Sequence, residues 1–166
     1  ATLVARGVDH VAMETSSHSL DQGRLDGLTF AAGVFTNLTR DHLDYHGTME
    51  AYLAAKLRLD ALLGLDGWQV VNVDDPAWQA LPPRSRRMTW GFAPHAMVCA
   101  QSPVLGNAGS TFTLSTPQGS APIALPLLGE FNIANALAAA ATALALGKPL
   151  GHVVERVRCV DELSHA

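Results

Sequence analysis

Charge is scarce in this sequence. Only 16% of its 166 residues are Asp, Glu, Lys or Arg, and 11 basic residues face 15 acidic ones, for a formal net charge of −4. That balance removes the basic face that nucleic-acid binding requires. An anionic substrate therefore has to meet a local cluster of positive groups or a metal. Cysteine is nearly absent. Cys99 and Cys159 stand without metal-ligand spacing and read as two thiols in a reducing compartment. Long apolar runs are missing too. Asn or Gly interrupts each before it could span a bilayer, and no basic-then-apolar leader opens the chain. These absences predict a soluble cytoplasmic protein, with neither nucleic acid nor membrane as partner. What is present is 48% hydrophobic residues, on a chain long enough for one domain with a sizeable core. The composition is globular, not disordered, with no internal repeat and no low-complexity tract.

The order of segments predicts an α/β fold. Ala1–Arg6 reads as a helix tail stopped by Gly7. Val8–Met13 and Gly33–Thr36 read as strands buried in a parallel sheet, ending in Glu14 and Asn37. Thr48 is the expected N-cap of a helix over Met49–Leu63, closed by Gly64. Its apolar stripe is Met49, Tyr52, Leu53, Leu57 and Leu62. Lys56 falls on the same side, four residues after Tyr52 and three after Leu53, which is unusual for a lysine. Trp68–Val73 is a third strand, stopped by Asp74-Asp75-Pro76, where Pro76 can open a short helix. Arg87–Trp90 is a fourth. After Gly91, Met97–Gln101, Thr111–Ser115 and Ile123–Leu127 read as a small antiparallel sheet, with Thr116-Pro117-Gln118-Gly119 as a turn. Gly129 opens an alanine-rich helix, Asn132–Leu146, that ends at Gly147, and Gly151–Val160 reads as a last amphipathic helix. Strands alternating with helices imply a mostly parallel, Rossmann-like sheet flanked by helices, with the antiparallel piece as an insertion.

The unusual residues gather between Met13 and Lys56. Carboxylate, imidazole and carbonyl or hydroxyl oxygens suit Mg²⁺ or Mn²⁺ with phosphate oxygens. Glu14 at a strand end and His42 after the next strand could meet across neighbouring strands. Each also reads as an ordinary solvated acid or hydrogen-bonded histidine. His42 and His46 are four apart, but Leu43 stands where a zinc protease needs glutamate. Ser16 and Ser17 lack the Gly-x-Ser-x-Gly elbow of a nucleophile; hydroxyls here suit phosphate or sugar. Spacing alone leaves Arg24 open between a solvated surface arginine and a phosphate clamp. Asp74 and Asp75 read as a strand-to-helix turn more readily than as a carboxylate pair. Asn132 and Asn135 open a helix, as caps or as groups reaching a ligand at its positive end.

Three stretches, taken together, are far more specific. Met13-Glu14-Thr15-Ser16-Ser17-His18-Ser19-Leu20-Asp21-Gln22-Gly23-Arg24 resembles the Mur ligases, and within them the MurE branch. So do the run from Thr36 to Glu50, through Arg40-Asp41-His42-Leu43-Asp44-Tyr45-His46-Gly47, and Gly129-Glu130-Phe131-Asn132-Ile133-Ala134-Asn135. The likeness runs from about Val8 to about Leu150. It implies that residues 1–153 are the central ATPase domain, followed by a divergent tail, 154–166. It also implies an ATP-dependent reaction of peptidoglycan synthesis. The D-glutamate carboxylate of UDP-MurNAc-L-Ala-D-Glu is phosphorylated, and the amine of a diamino acid, meso-diaminopimelate or L-lysine, attacks the acyl phosphate.

By position, the resemblance makes Glu14 and His42 ligands of Mg²⁺, and Lys56 the lysine that the family carbamylates. Ser16 and Arg24 fall to the UDP-MurNAc substrate, and Asn132 and Asn135 to the ATP nucleoside. A free ammonium repels Mg²⁺, whereas a carbamate holds it, and burial that lowers the lysine pKa favours the neutral amine that CO₂ needs. The family's phosphate loop, with Gly-Lys-Ser or Gly-Lys-Thr, is not in this sequence: Gly147-Lys148 is followed by Pro149. The expectation is therefore a partial central domain without its phosphate-loop strand and without the family's N- and C-terminal domains, inactive by itself. The alternative is a non-catalytic Mur-like binding or interaction module from a truncated or split gene. An in-frame Gly-Lys-Thr loop encoded just before Ala1 distinguishes the first from the second.

Overall fold

The computed structural model describes residues 5–41 and 43–160. Among these, six strands form one sheet in the order β1-β2-β3-β4-β5-β6: Phe30–Phe35, Leu63–Asn72, Arg87–Gly91, Val98–Gly106, Gly109–Thr116 and Gly119–Leu125. The pairs from β1 to β4 are parallel; β4, β5 and β6 are antiparallel. The expected antiparallel piece is thus present as a continuation of the parallel sheet through β4. Helices α1 (Ser17–Asp21), α2 (Leu43–His46), α3 (Met49–Ala61), α4 (Glu130–Ala145) and α5 (Leu150–Arg158) flank it.

Neighbouring residues of β2 show how the sheet divides two cores, because side chains alternate along a strand. Val70 faces a cluster with Met88, Trp90, Val98, Ile133, Leu137 and Val153, under α4 and α5. Val71 faces the other way, into Leu20, Phe35, Leu59 and Trp78, beneath α1 and α3. Alanines at 138, 140, 141 and 145 are buried along α4 and let it lie close on the sheet. Thr48 caps α3 as expected: its Oγ1 accepts from Ala51 N at 3.2 Å.

Several boundaries move. The helix ends at Ala61, and Leu63 already belongs to β2, paired with Phe30 ahead of an irregularity in the ladder. Pro76 does open a short helix, the 3₁₀ segment Pro76–Ala80. The larger correction concerns Val8–Met13. It is not a buried strand: Val8, Val11 and Met13 are exposed, and 8–16 is irregular. A parallel strand needs neighbours for its backbone and cover on both faces, and none of the described strands pairs with this segment. Most of the helix tail expected over Ala1–Arg6 lies outside the described residues, as does 161–166; Gly7 does adopt φ +71°. Among the described residues, no helix is long and apolar enough to cross a membrane.

Candidate functional site

Lys56 is the centre of the site. It sits on α3 between buried Tyr52, Ala55 and Leu59, and is itself half-buried. Its Nζ donates to Thr15 O at 3.2 Å, so the irregular segment after Gly7 is pinned to α3 by this lysine. Burial pushes the Lys56 amine below its ordinary pKa, while the carboxylates of Glu14 and Asp41 pull it back up. The structure thus puts Thr15 O, Glu14 and Asp41 about Lys56; of these the sequence had singled out only Glu14. His42 lies outside the described residues.

The donor set around Lys56 is oxygen-rich, which suits a hard cation such as Mg²⁺. Among the described residues, no group of three His, Cys, Asp or Glu side chains could hold a metal ion. Glu14 and Asp41 supply two carboxylates, and Lys56 as an ammonium is a repelling neighbour. The set fits Mg²⁺ if Lys56 becomes an anion, and the lowered pKa favours the neutral amine on that route.

Ser16 begins α1 as its N-cap. Its Oγ accepts from Ser19 N at 3.1 Å and lies 2.9 Å from Ser19 Oγ. The hydroxyl assigned to substrate therefore already has a local role. Ser17 is fully buried, and Arg24 is exposed in the turn beyond α1. Aromatic rings lock α1 against α2 and α3. His18 lies 4.1 Å from Tyr45 and His46 stacks on Tyr52 at 5.4 Å, centroid to centroid. Tyr45 donates to Asp21 at 2.9 Å, Gln22 donates to Tyr45 at 3.2 Å, and Arg58 Nη1 donates to Asp21 O at 2.8 Å. Leu43 thus makes sense as a helix residue, and His46 as a packed ring in place of a zinc ligand.

Asn132 and Asn135 occupy the first turns of α4. Gly129, at φ +88°, is its N-cap and offers no side chain to the helix end. Asn132 Nδ2 donates to Leu128 O at 2.8 Å, while Asn135 is exposed beside exposed Phe131. Helix α4 packs on the opposite sheet face from α3. The asparagines and Lys56 are therefore separated by the sheet, and the described residues record no contact between them.

Residues 1–143 match the Mur ligase middle domain. The chain belongs to the Mur ligase family. It is 47% identical over 153 residues to the UDP-N-acetylmuramoyl-L-alanyl-D-glutamate–2,6-diaminopimelate ligase of Synechococcus elongatus, covering 90% of this chain and 31% of that protein. The enzyme of the same name from Pseudomonas aeruginosa is 46% identical over 158 residues, with 93% and 32% covered. A solved structure of a ligase of this name superimposes with a TM-score of 0.83 at 36% identity, covering 95% of this chain and 34% of the other. The chain thus spans about a third of the length of the relatives it matches. MurF of Thermotoga maritima, solved with ADP, shares the fold (TM-score 0.73) at 13% identity over 89% of this chain and 34% of its own.

Within this Mur ligase domain, Asp74 and Asp75 resolve as the turn that their sequence suggested, with a further job. Asp74 accepts from Phe92 N at 2.6 Å and Ala93 N at 3.1 Å; Asp75 accepts from Leu38 N at 2.6 Å and Ala77 N at 3.0 Å. Their carboxylates hold backbone amides of two neighbouring loops. Asp41 was visible in the sequence only as the neighbour of His42, and no local signal marked Asn72 or Asp75 as reaching another loop.

Proposed function

We propose that this chain is the central segment of a MurE-type ligase, which joins a diamino acid to UDP-MurNAc-L-Ala-D-Glu at the expense of ATP. The observation that carries the reading is Lys56, half-buried, with lowered pKa, hydrogen-bonded to Thr15 O beside Glu14 and Asp41. Burial at that position favours the neutral amine, against the pull of the two carboxylates toward the cation. The names of the relatives support 2,6-diaminopimelate as the added amino acid. The sequence places the ATPase domain over residues 1–153; Val154 and Val157 of α5 share its core, which supports carrying the domain to the end of that helix at Arg158, and the parent protein works in the cytoplasm.

In this reading the neutral Lys56 amine attacks CO₂. The new N–C bond makes a carbamate, and the displaced proton passes to solvent. Glu14, His42 and the Lys56 carbamate would hold Mg²⁺. Bound there, Mg²⁺ supplies charge neutralisation for phosphate oxygens during phosphoryl transfer. Ser16 and Arg24 orient the UDP-MurNAc substrate, and Asn132 and Asn135 meet the nucleoside of ATP. Positioning of the phosphates needs a phosphate loop from the rest of the ligase, so the isolated chain forms no amide.

The test uses ¹³C-labelled bicarbonate. A carbamate resonance in the wild-type chain that disappears in Lys56→Ala supports the reading. Wild-type protein without that resonance, in the full ligase polypeptide as well as in this chain, removes the carbamate from the reading; absence of amide formation by that polypeptide as well leaves the domain as a non-catalytic module.

A further inference from the structure

The loop that leaves β1 is gripped by the end of β2. Trp78 Nε1 donates to Thr36 O at 3.0 Å, Asn72 Nδ2 donates to Asn37 Oδ1 at 2.8 Å, and Asp75 Oδ2 accepts from Leu38 N at 2.6 Å. Three successive residues are thus held by three side chains. Trp78 and Asn72 are each 4% exposed, so two of the grips are anchored in packed structure. Asn72 Oδ1 accepts from Asp74 N at 3.0 Å, which turns its amide nitrogen toward Asn37. The Asp75 carboxylate is shared: Oδ1 caps the 3₁₀ turn at Ala77 N, and Oδ2 reaches across to the loop. Hydrogen bonds to an ionised acceptor are the shorter and stronger kind.

We propose that Asp75 is a positioning residue: by holding Leu38 it fixes the Thr36–Asp41 loop and so sets where the Asp41 side chain faces Lys56. The proposal rests on the ligase reading above. Only two residues, Thr39 and Arg40, lie between Leu38 and Asp41, whose carboxylate acts on the Lys56 amine. So short a tether passes displacement at Leu38 directly to Asp41. Partners that orient metal ligands typically change metal affinity when removed, by roughly 10- to 100-fold.

The discriminating variant is Asp75→Ser. A serine hydroxyl at this turn can still cap Ala77 N but is too short to reach Leu38 as well. Two readouts are needed in the full ligase polypeptide carrying this segment: amide exchange at Leu38, and Mg²⁺ half-saturation of amide formation. We expect faster exchange at Leu38 and Mg²⁺ half-saturation raised about 10- to 100-fold, with KM for the UDP-sugar substrate unchanged. Asp75→Asn, whose single carbonyl can serve Leu38 or Ala77 but not both, falls between. A merely structural role would lower the unfolding midpoint and leave Mg²⁺ half-saturation alone, and that outcome overturns the proposal. So does unchanged exchange at Leu38. Should the serine variant not fold, the asparagine variant decides by the same two readouts. A wild-type ligase with no Mg²⁺-dependent amide formation brings down the functional reading and this proposal with it. An active wild type with an unaffected Asp75→Ser brings down the positioning alone.

Discussion

Asp60 lies one helical turn beyond Lys56, and its loss tests what holds the end of α3 against the sheet. Its carboxylate is 9% exposed. Oδ1 accepts from Arg84 Nε at 2.8 Å and from Gln69 Nε2 at 2.5 Å. Arg84 also donates to Asp60 O at 2.8 Å and to Gly64 O at 3.2 Å, and Arg87 Nε donates to Gln69 Oε1 at 2.7 Å. Asp60→Ala removes the one acidic side chain of this network. Breaking a buried ion pair by removing one partner costs about 3–5 kcal/mol. Arg84 is 22% exposed and keeps its two carbonyl partners, and Gln69 keeps Pro82 O at 3.0 Å. Water therefore screens part of the orphaned charge, and the expected loss is at the low end, about 3 kcal/mol. With a urea slope of about 1–3 kcal/mol/M, the midpoint should fall by roughly 1–3 M. Arg84→Met and the double variant complete a cycle that isolates the pair from the packing of each side chain. A fall worth less than about 1 kcal/mol, the range of exposed pairs, would refute the claim that this network fastens α3.

Lys56→Met should lose ground to the wild type as pH rises above neutral. The folded-state pKa of Lys56 lies below the unfolded value because burial penalises the charged form. The unfolded state then binds more protons between those two pKa values, so wild-type stability rises with pH through that window and the penalty is fully present below it. The stability of the Met variant relative to wild type should fall as pH climbs toward the ordinary lysine pKa, read from urea midpoints at neutral and alkaline pH; a constant difference would show that the amine pays no burial penalty. Gly109→Ala should destabilise by about 1–3 kcal/mol. Gly109 has φ +141°, and a Cβ there would press on the carbonyl oxygen of Leu125, across the β5–β6 pair. Gly147→Ala is the control, with φ +83° but open space around the added carbon; equal losses at the two sites would leave the backbone clash without a role.

The sheet core was legible because its strands carry their own evidence. Trp68–Val73 and Arg87–Trp90 are short apolar runs between turn residues; the second falls within β3, and the first lies in β2 up to Asn72, with Val73 already in the turn. Val8–Met13 has the same texture and is irregular. A strand is a property of a pair of segments, and no periodicity reports whether a neighbour is in place. Leu63 shows the converse. Gly64, Asp66 and Gly67 look like a loop, yet β2 begins before them because Leu63 pairs with Phe30 across the sheet.

The site divides along a similar line. Lys56 announced itself by breaking a local rule, a charged residue on an apolar helix stripe, and the structure finds it half-buried at Thr15. Residue chemistry suggested a metal and phosphate or sugar site, but the assignment of each residue came from resemblance, since spacing left Arg24 and Asn132 open. Asp75 was hidden for the opposite reason to Lys56. Asp-Asp-Pro is good turn chemistry, and Asp75 does cap Ala77 as such a residue should. A residue that satisfies its local rule gives no hint that its second oxygen grips Leu38, 37 residues earlier in the chain. Residues that do chemistry violate local expectations because chemistry needs an unusual environment. Residues that hold them in place obey those expectations, and only the folded geometry separates them from ordinary turns and caps.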